Sequence, residues 1–325
     1  MLTNETIGKY ICLMIETNDL SKQFNNYFWA VQGVTLNVQP GQILALLGQN
    51  GAGKTTTVRM LTALLAPTRG SARVGGYDVM KNPKEIRMNV GVLTEQHGLY
   101  LRMTGAEYLD YFGKIYGLDV QARATRSKYL FDYFGLTEAS QRRSGEYSKG
   151  MKQKLALARS LMHNPSVLLL DEPTSAMDPE SSRLVRDEIA RLRSSQRTIV
   201  ICTHNLAEAE ALADHIAIIY RGKVLLSGTL DELKLRVLGP VEYEARFADA
   251  FDASGLRLPA GAEVASRSET SLKFRIEAPQ VVNPGLVRAL TSMNAPLISF
   301  HEVPRKLEQV YLKTMAEAQG LAYAA

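Results

Sequence analysis

The chain has 325 residues, of which 46% are hydrophobic and 22% are charged. This length and apolar content are enough for a sizeable core and predict more than one domain. A net charge of +5 would suit anionic lipids or nucleic acid, but a solvated surface explains it equally well. No apolar run approaches the roughly 18 residues that a membrane-spanning helix needs, so the composition excludes such a helix.

The N-terminal segment and the two cysteines indicate the cellular compartment. Residues 1–15 are predicted to be an N-terminal extension, which a misassigned start codon would explain, and Met1 to Leu13 is too weakly apolar for a signal peptide. The two cysteines, Cys12 and Cys202, allow at most one disulfide, and Cys202 lies in an apolar run typical of a strand. This usage indicates a reducing compartment and no cysteine-based metal site.

The octet GQNGAGKT, Gly48 to Thr55, lies between an apolar run, Ile43 to Leu47, and a predicted helix, Thr56 to Leu65. Its glycines let the backbone turn so that N–H groups point at a phosphate chain, beside the positive end of the helix. Lys54 supplies a charge for the β- and γ-phosphates, and Thr55 offers a hydroxyl to Mg²⁺. The chain is therefore predicted to bind a nucleoside triphosphate. The predicted contacts are Gly48, Gln49, Asn50, Gly51, Ala52, Gly53, Lys54, Thr55 and Thr56.

From Thr104 to about Met162 the composition becomes helical. Aromatic and apolar residues recur there at helical spacing, and we expect the stripe that they form to be part of the subdomain core rather than a ligand site. Later in this region Ser148 is well suited to cap a helix that runs towards Leu161. The residues of the stripe are Tyr108, Leu109, Phe112, Ile115 and Tyr116.

Val167 to Leu170 is a continuous apolar run that ends in Asp171 and Glu172. A strand of this kind must be covered on both faces, which predicts the centre of a parallel sheet in an α/β fold. Asp171 is predicted to orient Mg²⁺, and Glu172 to polarise the attacking water as general base. A second apolar strand, Thr198 to Cys202, is followed by His204.

These motifs, together with the segment YSKGMKQKLALARSL that begins at Tyr147, resemble the ATP-binding-cassette (ABC) ATPases. The family's pentapeptide is usually LSGGQ. This chain keeps the serine and the second glycine, as Ser148 and Gly150, and replaces the other three residues. The resemblance implies a P-loop α/β core, a helical subdomain at about residues 100–163, and contact between His204 and the γ-phosphate. It further implies that the pentapeptide closes over ATP held by a partner subunit. That pentapeptide is Tyr147, Ser148, Lys149, Gly150 and Met151.

The resemblance implies three more contacts. The family's subunit-contact loop, usually SALD, would be Ser175, Ala176, Met177 and Asp178. The aromatic ring that stacks on adenine would be Phe24, or Tyr27 if Asn25–Asn26 is an insertion. The glutamine that ligates Mg²⁺ falls on Glu95, with Gln96 one place later, and either side chain offers the oxygen that a hard cation prefers.

The domain prediction is a nucleotide-binding domain over residues 16–238 and a small α+β accessory domain over residues 239–325. Gly239–Pro240 marks the boundary. Beyond it we predict a strand over Ser271–Ile276, a helix over Pro284–Met293, a strand over Leu297–Val303 and a final helix that carries Leu307, Val310, Tyr311 and Met315. The segment LEQVYLKTM, Leu307 to Met315, resembles part of the C-terminal domain found in one branch of drug, antibiotic, lipid, polysaccharide and sodium exporters.

The function implied by the resemblance is an ATP-hydrolysing subunit of an ABC exporter, peripheral at the cytoplasmic face of the cell membrane. It would form a homodimer around two MgATP and drive an integral membrane permease on a separate chain. The alternative is a soluble ABC ATPase that acts on nucleic acid or the ribosome. No nucleic-acid partner is expected, because no sustained heptads or cysteine pairs separate the octet from Tyr147.

Overall fold

The computed structural model describes residues 13–25, 27–94, 98–175, 177–193 and 197–320. The predicted extension, residues 1–15, therefore lies mostly outside the described residues. Internal contacts divide the chain into two units, and the boundary in the sequence falls between Leu230 and Asp231. The predicted boundary at Gly239 lies one helix further along the chain. The helix over Leu230–Leu238 is held within the second unit, where Lys313 Nζ donates to Val237 O at 2.8 Å.

The first unit contains an antiparallel sheet, a largely parallel sheet and a group of helices. Its strands are β1 (Ile15–Phe24), β2 (Phe28–Val38), β3 (Ile43–Leu47), β4 (Arg69–Val74), β5 (Tyr77–Asp78), β6 (Val90–Leu93), β7 (Val167–Asp171), β8 (Thr198–Thr203), β9 (His215–Tyr220) and β10 (Lys223–Gly228). Its helices are α1 (Lys54–Leu61), α2 (Pro83–Asn89), α3 (Gly105–Ile115), α4 (Val120–Phe134), α5 (Lys149–Ser160), α6 (Pro179–Arg191) and α7 (Leu206–Leu212), with 3₁₀ turns at Thr137–Ala139 and Ser144–Glu146.

The six-stranded sheet has the order β10-β9-β3-β8-β7-β6, and only the β9–β10 pair is antiparallel. Every residue of β3, β7 and β8 is buried, because helices and the second sheet cover both faces of these apolar strands. The register pairs Leu47 with Thr203 and Asp171 with Cys202. The carboxyl ends of the three strands therefore meet at one edge of the sheet.

The helical region packs around α3, whose N-terminus is closed by a capping box between Thr104 and Glu107. Tyr108 and Leu109 are fully buried, as the helical spacing predicted, whereas Ile115 is exposed. At the start of α3, a Cβ on Gly105 would lie 2.4 Å from Tyr147 Oη. The missing side chain at Gly105 thus makes room for the Tyr147 ring.

The second unit consists of α8 (Leu230–Leu238), β11 (Val241–Phe247), β12 (Ala262–Arg267), β13 (Ser271–Ile276), α9 (Pro279–Ser292), β14 (Leu297–Glu302) and α10 (Leu307–Gln319). Its sheet is antiparallel, in the order β12-β13-β11-β14, and α9 helps to cover one face. The prediction that α9 begins at Pro284 is wrong. Pro279 occupies the first turn, where its missing N–H costs nothing, and Pro284 lies inside the helix.

His163, in the turn after α5, gives the protein a pH-dependent stability. Its ring stacks on Tyr116 at a centroid distance of 3.8 Å, and Nε2 donates to Val90 O at 3.2 Å. Burial lowers the pKa of His163 to about 4. An unfolded histidine has a pKa near 6.5, so the unfolded chain binds more protons between these values. This contribution is therefore present above pH 6.5 and is lost as the pH falls towards 4.

We expect the free energy of unfolding to drop by roughly 3 kcal/mol from this group alone between pH 7 and pH 4. His163→Phe retains a ring that can stack on Tyr116 but has no proton to gain. Urea unfolding of both proteins at several pH values measures the difference. Equal pH slopes for the two proteins would contradict the assignment.

Candidate functional site

The octet forms a loop between β3 and α1 at the edge where the strands end. Gly53, at the N-cap of α1, has φ of 109°, and a Cβ there would lie 2.6 Å from Ala30 O, so only glycine fits. Lys54 follows as the first residue of α1 and is 6% exposed. Its Nζ donates to Gly48 O at 2.6 Å and to Gln49 O at 3.2 Å. The ammonium group is thus folded back over the loop.

Four chemically active side chains converge beside this loop. Lys54 Nζ lies 3.1 Å from Glu172 Oε1, and His204 Nδ1 lies 2.8 Å from Glu172 Oε2. Glu172 is 8% exposed, so its carboxylate lies at low dielectric between the Lys54 ammonium group and the His204 ring. The fourth side chain, Asp171, lies next to it in the chain. The structure therefore brings the predicted phosphate ligand, metal ligand, general base and switch histidine to one place.

Thr55 and Asp171 form the oxygen pair expected of a magnesium site. Thr55 Oγ1 donates to Asp171 Oδ2 at 2.8 Å. A hydroxyl and a carboxylate are hard donors that fit Mg²⁺, which usually takes few protein ligands and completes its shell with water and phosphate oxygens. Among the described residues, no group of three His, Cys, Asp or Glu side chains could hold a metal. Glu95 and Gln96 lie outside the described residues.

A cleft of about 390 Å³ opens over the loop. The aromatic residue on its wall is Phe28, not the predicted Phe24 or its rival Tyr27. Phe24 and Phe28 face each other across the β1–β2 turn, and Phe28 shares a strand face with Ala30, which also lines the cleft. Lys22 lies over the Phe24 ring instead, and Tyr27 is 79% exposed. The cleft residues are Phe28, Ala30, Gln49, Asn50, Gly51, Ala52, Gly53, Lys54, Thr55, Thr56, Asp171 and Glu172.

The pentapeptide begins α5 and presents only part of itself to solvent. Ser148 is exposed and caps the helix, since its hydroxyl accepts from Met151 N at 3.2 Å. Lys149 is exposed as well, and Met151 packs partly against the core. Tyr147 was predicted to contact ATP across a dimer, and this is wrong. It is 3% exposed, and its hydroxyl donates to Ala139 O at 2.6 Å, so it anchors the helical region.

The predicted contact loop begins three residues after Glu172, at Ser175. Ser175 is exposed, and its N–H donates to Glu172 O at 3.1 Å. Asp178 caps α6 by accepting from Ser181 N at 2.9 Å, and the hydrogen bonds from Ser181 lower the pKa of its carboxyl. Met177 packs against the core, and Ala176 lies outside the described residues. Asp178 thus has a local structural role as a helix cap.

Two residues near Glu172 were missed from sequence. Gln153 Nε2 donates to Pro173 O, and Glu208 Oε1 accepts from Thr174 Oγ1 at 2.9 Å. Both helices that carry them begin beside predicted site residues: α5 follows Ser148, and α7 follows His204. Neither residue belongs to a motif that the sequence shows, so no local signal could have pointed to them.

Comparisons with known proteins agree with this geometry. The family model for "ABC transporter" matches residues 31–175. The ABC transporter ATP-binding protein NatA of Bacillus subtilis (strain 168) is 41% identical over 224 residues, which cover 68% of this chain and 91% of NatA. The daunorubicin/doxorubicin resistance ATP-binding protein DrrA of Streptomyces peucetius is 36% identical over 303 residues, 92% of this chain and 91% of DrrA.

The fold also matches solved structures. One is a dimeric post-hydrolysis state of the ATP-binding cassette MJ0796, bound to ADP and Pi, with 22% identity and a TM-score of 0.61. The match covers 67% of this chain and 99% of that one. The predicted α/β P-loop fold is thereby confirmed.

Proposed function

The chain belongs to the family of ABC transporter ATP-binding proteins, and from this premise we propose that two copies of it, closing around two ATP molecules, drive a separate membrane permease in an exporter. Members of this family are ATPases whose hydrolysis is coupled to transport. Within the described part of the chain, no helix is long and apolar enough to cross a bilayer.

The observation that carries the proposal is the position of Glu172 between Lys54 and His204. Lys54 holds the β- and γ-phosphates at the loop. Glu172 takes the proton of the attacking water, in a site whose burial strengthens each charge. His204 holds the Glu172 carboxylate at Oε2 and, being 52% exposed, is open to the γ-phosphate.

Thr55 and Asp171 would hold Mg²⁺ at the mouth of the cleft, with Glu95 or Gln96 as a further oxygen ligand. When bound, the ion neutralises negative charge on the β- and γ-phosphates. Phe28 offers an aromatic wall to the adenine ring of ATP. The residues of the octet supply backbone N–H groups around the phosphates, next to the positive end of α1.

The second half of each site would come from a second copy of the chain. Ser148, Lys149 and Gly150 lie at the N-terminus of α5, where helix N–H groups and a basic side chain favour an anion. We leave Tyr147 out of this proposed contact because it is buried. The solved cassette with ADP and Pi is dimeric, and we extend a pair of copies to this chain.

The partner we propose is an integral membrane permease on a separate chain, with this chain peripheral at the cytoplasmic face of the membrane. ATP acts by binding the closed dimer better than the open one, which shifts the permease between two orientations. Hydrolysis through Glu172 resets the pair. The resistance protein DrrA, similar over most of the chain, supports export over import.

Complementation between two inactive variants tests the shared site. Lys54→Ala removes the loop charge, and Ser148→Arg blocks the exposed start of α5. In a mixed dimer both changes fall in one site, so the other site is intact. We expect each variant alone to hydrolyse ATP poorly and the mixture to recover a substantial fraction of wild-type phosphate release. A mixture no more active than its components would contradict the head-to-tail arrangement.

A further inference from the structure

The two residues after Glu172 are held by side chains from two different helices. Pro173 O accepts from Gln153 Nε2 of α5, and Thr174 Oγ1 donates to Glu208 Oε1 of α7 at 2.9 Å. We propose that Gln153 and Glu208 are positioning residues that fix the Pro173–Thr174 peptide and thereby aim the Glu172 carboxylate. The proposal rests on the role of Glu172 as general base.

The backbone at Glu172 needs such support. Its φ of 52° lies in the left-handed region, which costs a non-glycine residue on the order of 1–3 kcal/mol unless the surroundings enforce it. On one side its N–H donates to Cys202 O at 2.8 Å, and its own carbonyl accepts from Ser175 N at 3.1 Å. The peptide between these two bonds is the one that Gln153 and Glu208 hold.

The side chains that make these two contacts are buried, so water cannot readily replace either partner. Gln153 is 2% exposed, Thr174 is 6% exposed and Glu208 is fully buried. Removing one partner of a buried hydrogen bond leaves the other without the water that would replace it. Burial also raises the pKa of the Glu208 carboxyl, and the nearby charge of Glu172 acts in the same direction. Glutamine matches glutamate in size and keeps an acceptor oxygen, so Glu208→Gln is the conservative substitution at this position.

The two helices that hold this peptide each begin at a different part of the proposed site. Gln153 is on α5, whose first turn would bind the ATP of the partner subunit. Glu208 is on α7, which Asn205 caps directly after His204. A displacement of either helix would move the peptide next to Glu172. The position of the general base is thus tied both to its own switch histidine and to the helix that contacts the other nucleotide.

The experiment measures kcat, KM and ATP affinity for matched variants of the full chain. Thr174→Val and Glu208→Leu remove the hydroxyl and its acceptor, and Gln153→Met removes the donor at similar size. Thr174→Ser and Glu208→Gln keep a hydroxyl and an acceptor oxygen. Gln121→Met, on an exposed part of α4, is the control for the glutamine change. Glu172→Gln is measured beside them.

We expect Thr174→Val and Gln153→Met to lower kcat by about 10- to 100-fold, since small displacements of a reacting group have effects of this size. ATP affinity should stay within about twofold, which separates positioning from binding. Thr174→Ser and Glu208→Gln should retain most of the turnover. The double variant Thr174→Val/Glu208→Leu should lose less than the sum of the two single losses, because both changes remove the contact between Thr174 and Glu208.

Wild-type kcat in both Thr174→Val and Gln153→Met would overturn the proposal, and this outcome does not depend on whether Glu208→Leu folds. Additive losses in the double variant, or a kcat loss matched by an equal loss of ATP affinity, would also overturn it. If Glu172→Gln itself keeps wild-type turnover, the proposed function fails instead, so the two failures can be told apart.

Discussion

Glu172→Gln is expected to lower ATP turnover by about 100-fold or more and to leave ATP affinity nearly unchanged. Glutamine has the size of glutamate and can keep contacts with Lys54 and His204, which lie 3.1 and 2.8 Å from the carboxylate oxygens. It cannot take a proton from water, and removing a general base costs about 10²- to 10⁴-fold in rate. With binding intact and hydrolysis blocked, the variant should accumulate as a dimer that holds ATP.

Phosphate release and light scattering on a size-exclusion column measure the two effects. Glu138→Gln, at an exposed position in the helical region, is the matched control and should behave as wild type. Unchanged hydrolysis in Glu172→Gln would remove this residue from its role. Loss of hydrolysis without an ATP-dependent dimer would retain the general base but contradict the trapped state.

Lys54→Ala is expected to weaken ATP binding by about 10- to 100-fold, the cost of losing a hydrogen bond to a charged group. The ammonium group is 6% exposed, so its attraction for phosphate is little screened by water. Alanine also leaves Glu172 without its cationic neighbour at 3.1 Å, which should lower turnover further. Calorimetric titration with ATP and phosphate release at saturating ATP separate the two effects.

Lys84→Ala, at an exposed position of α2 that does not line the cleft, removes the same charge and is the control. Wild-type affinity and turnover in Lys54→Ala would refute the phosphate role. A folded variant with normal affinity but reduced turnover would place Lys54 in the chemical step alone.

The parts of the molecule that could be predicted are those whose causes lie close together in the chain. Buried parallel strands need continuous apolar runs, so β3, β7 and β8 are visible as such in the sequence. Because parallel strands end at a common edge, the meeting of Lys54, Asp171, Glu172 and His204 follows from the same pattern. The strand over Ser271–Ile276 was likewise predicted with its observed bounds.

The errors come from contacts between distant segments. Tyr147 is buried because Gly105, more than forty residues earlier, lacks a side chain where its hydroxyl lies. Phe28 rather than Phe24 lines the cleft although the two residues are paired across β1 and β2 and therefore share a sheet face, so the difference depends on how β2 lies beside the loop. Gln153 and Glu208 carry no local motif, and their importance depends on where α5 and α7 meet the peptide after Glu172. Such contacts cannot be read from spacing alone.

Purification of the tagged Glu172→Gln chain from detergent-solubilised membranes, with ATP and Mg²⁺ present, tests the central claim most directly. Mass spectrometry of the bound material should find a polytopic membrane protein in stoichiometric amount, retained with ATP and reduced without it. Recovery of ribosomal or nucleic-acid-bound material, with no membrane protein, would contradict the claim and favour a soluble ATPase.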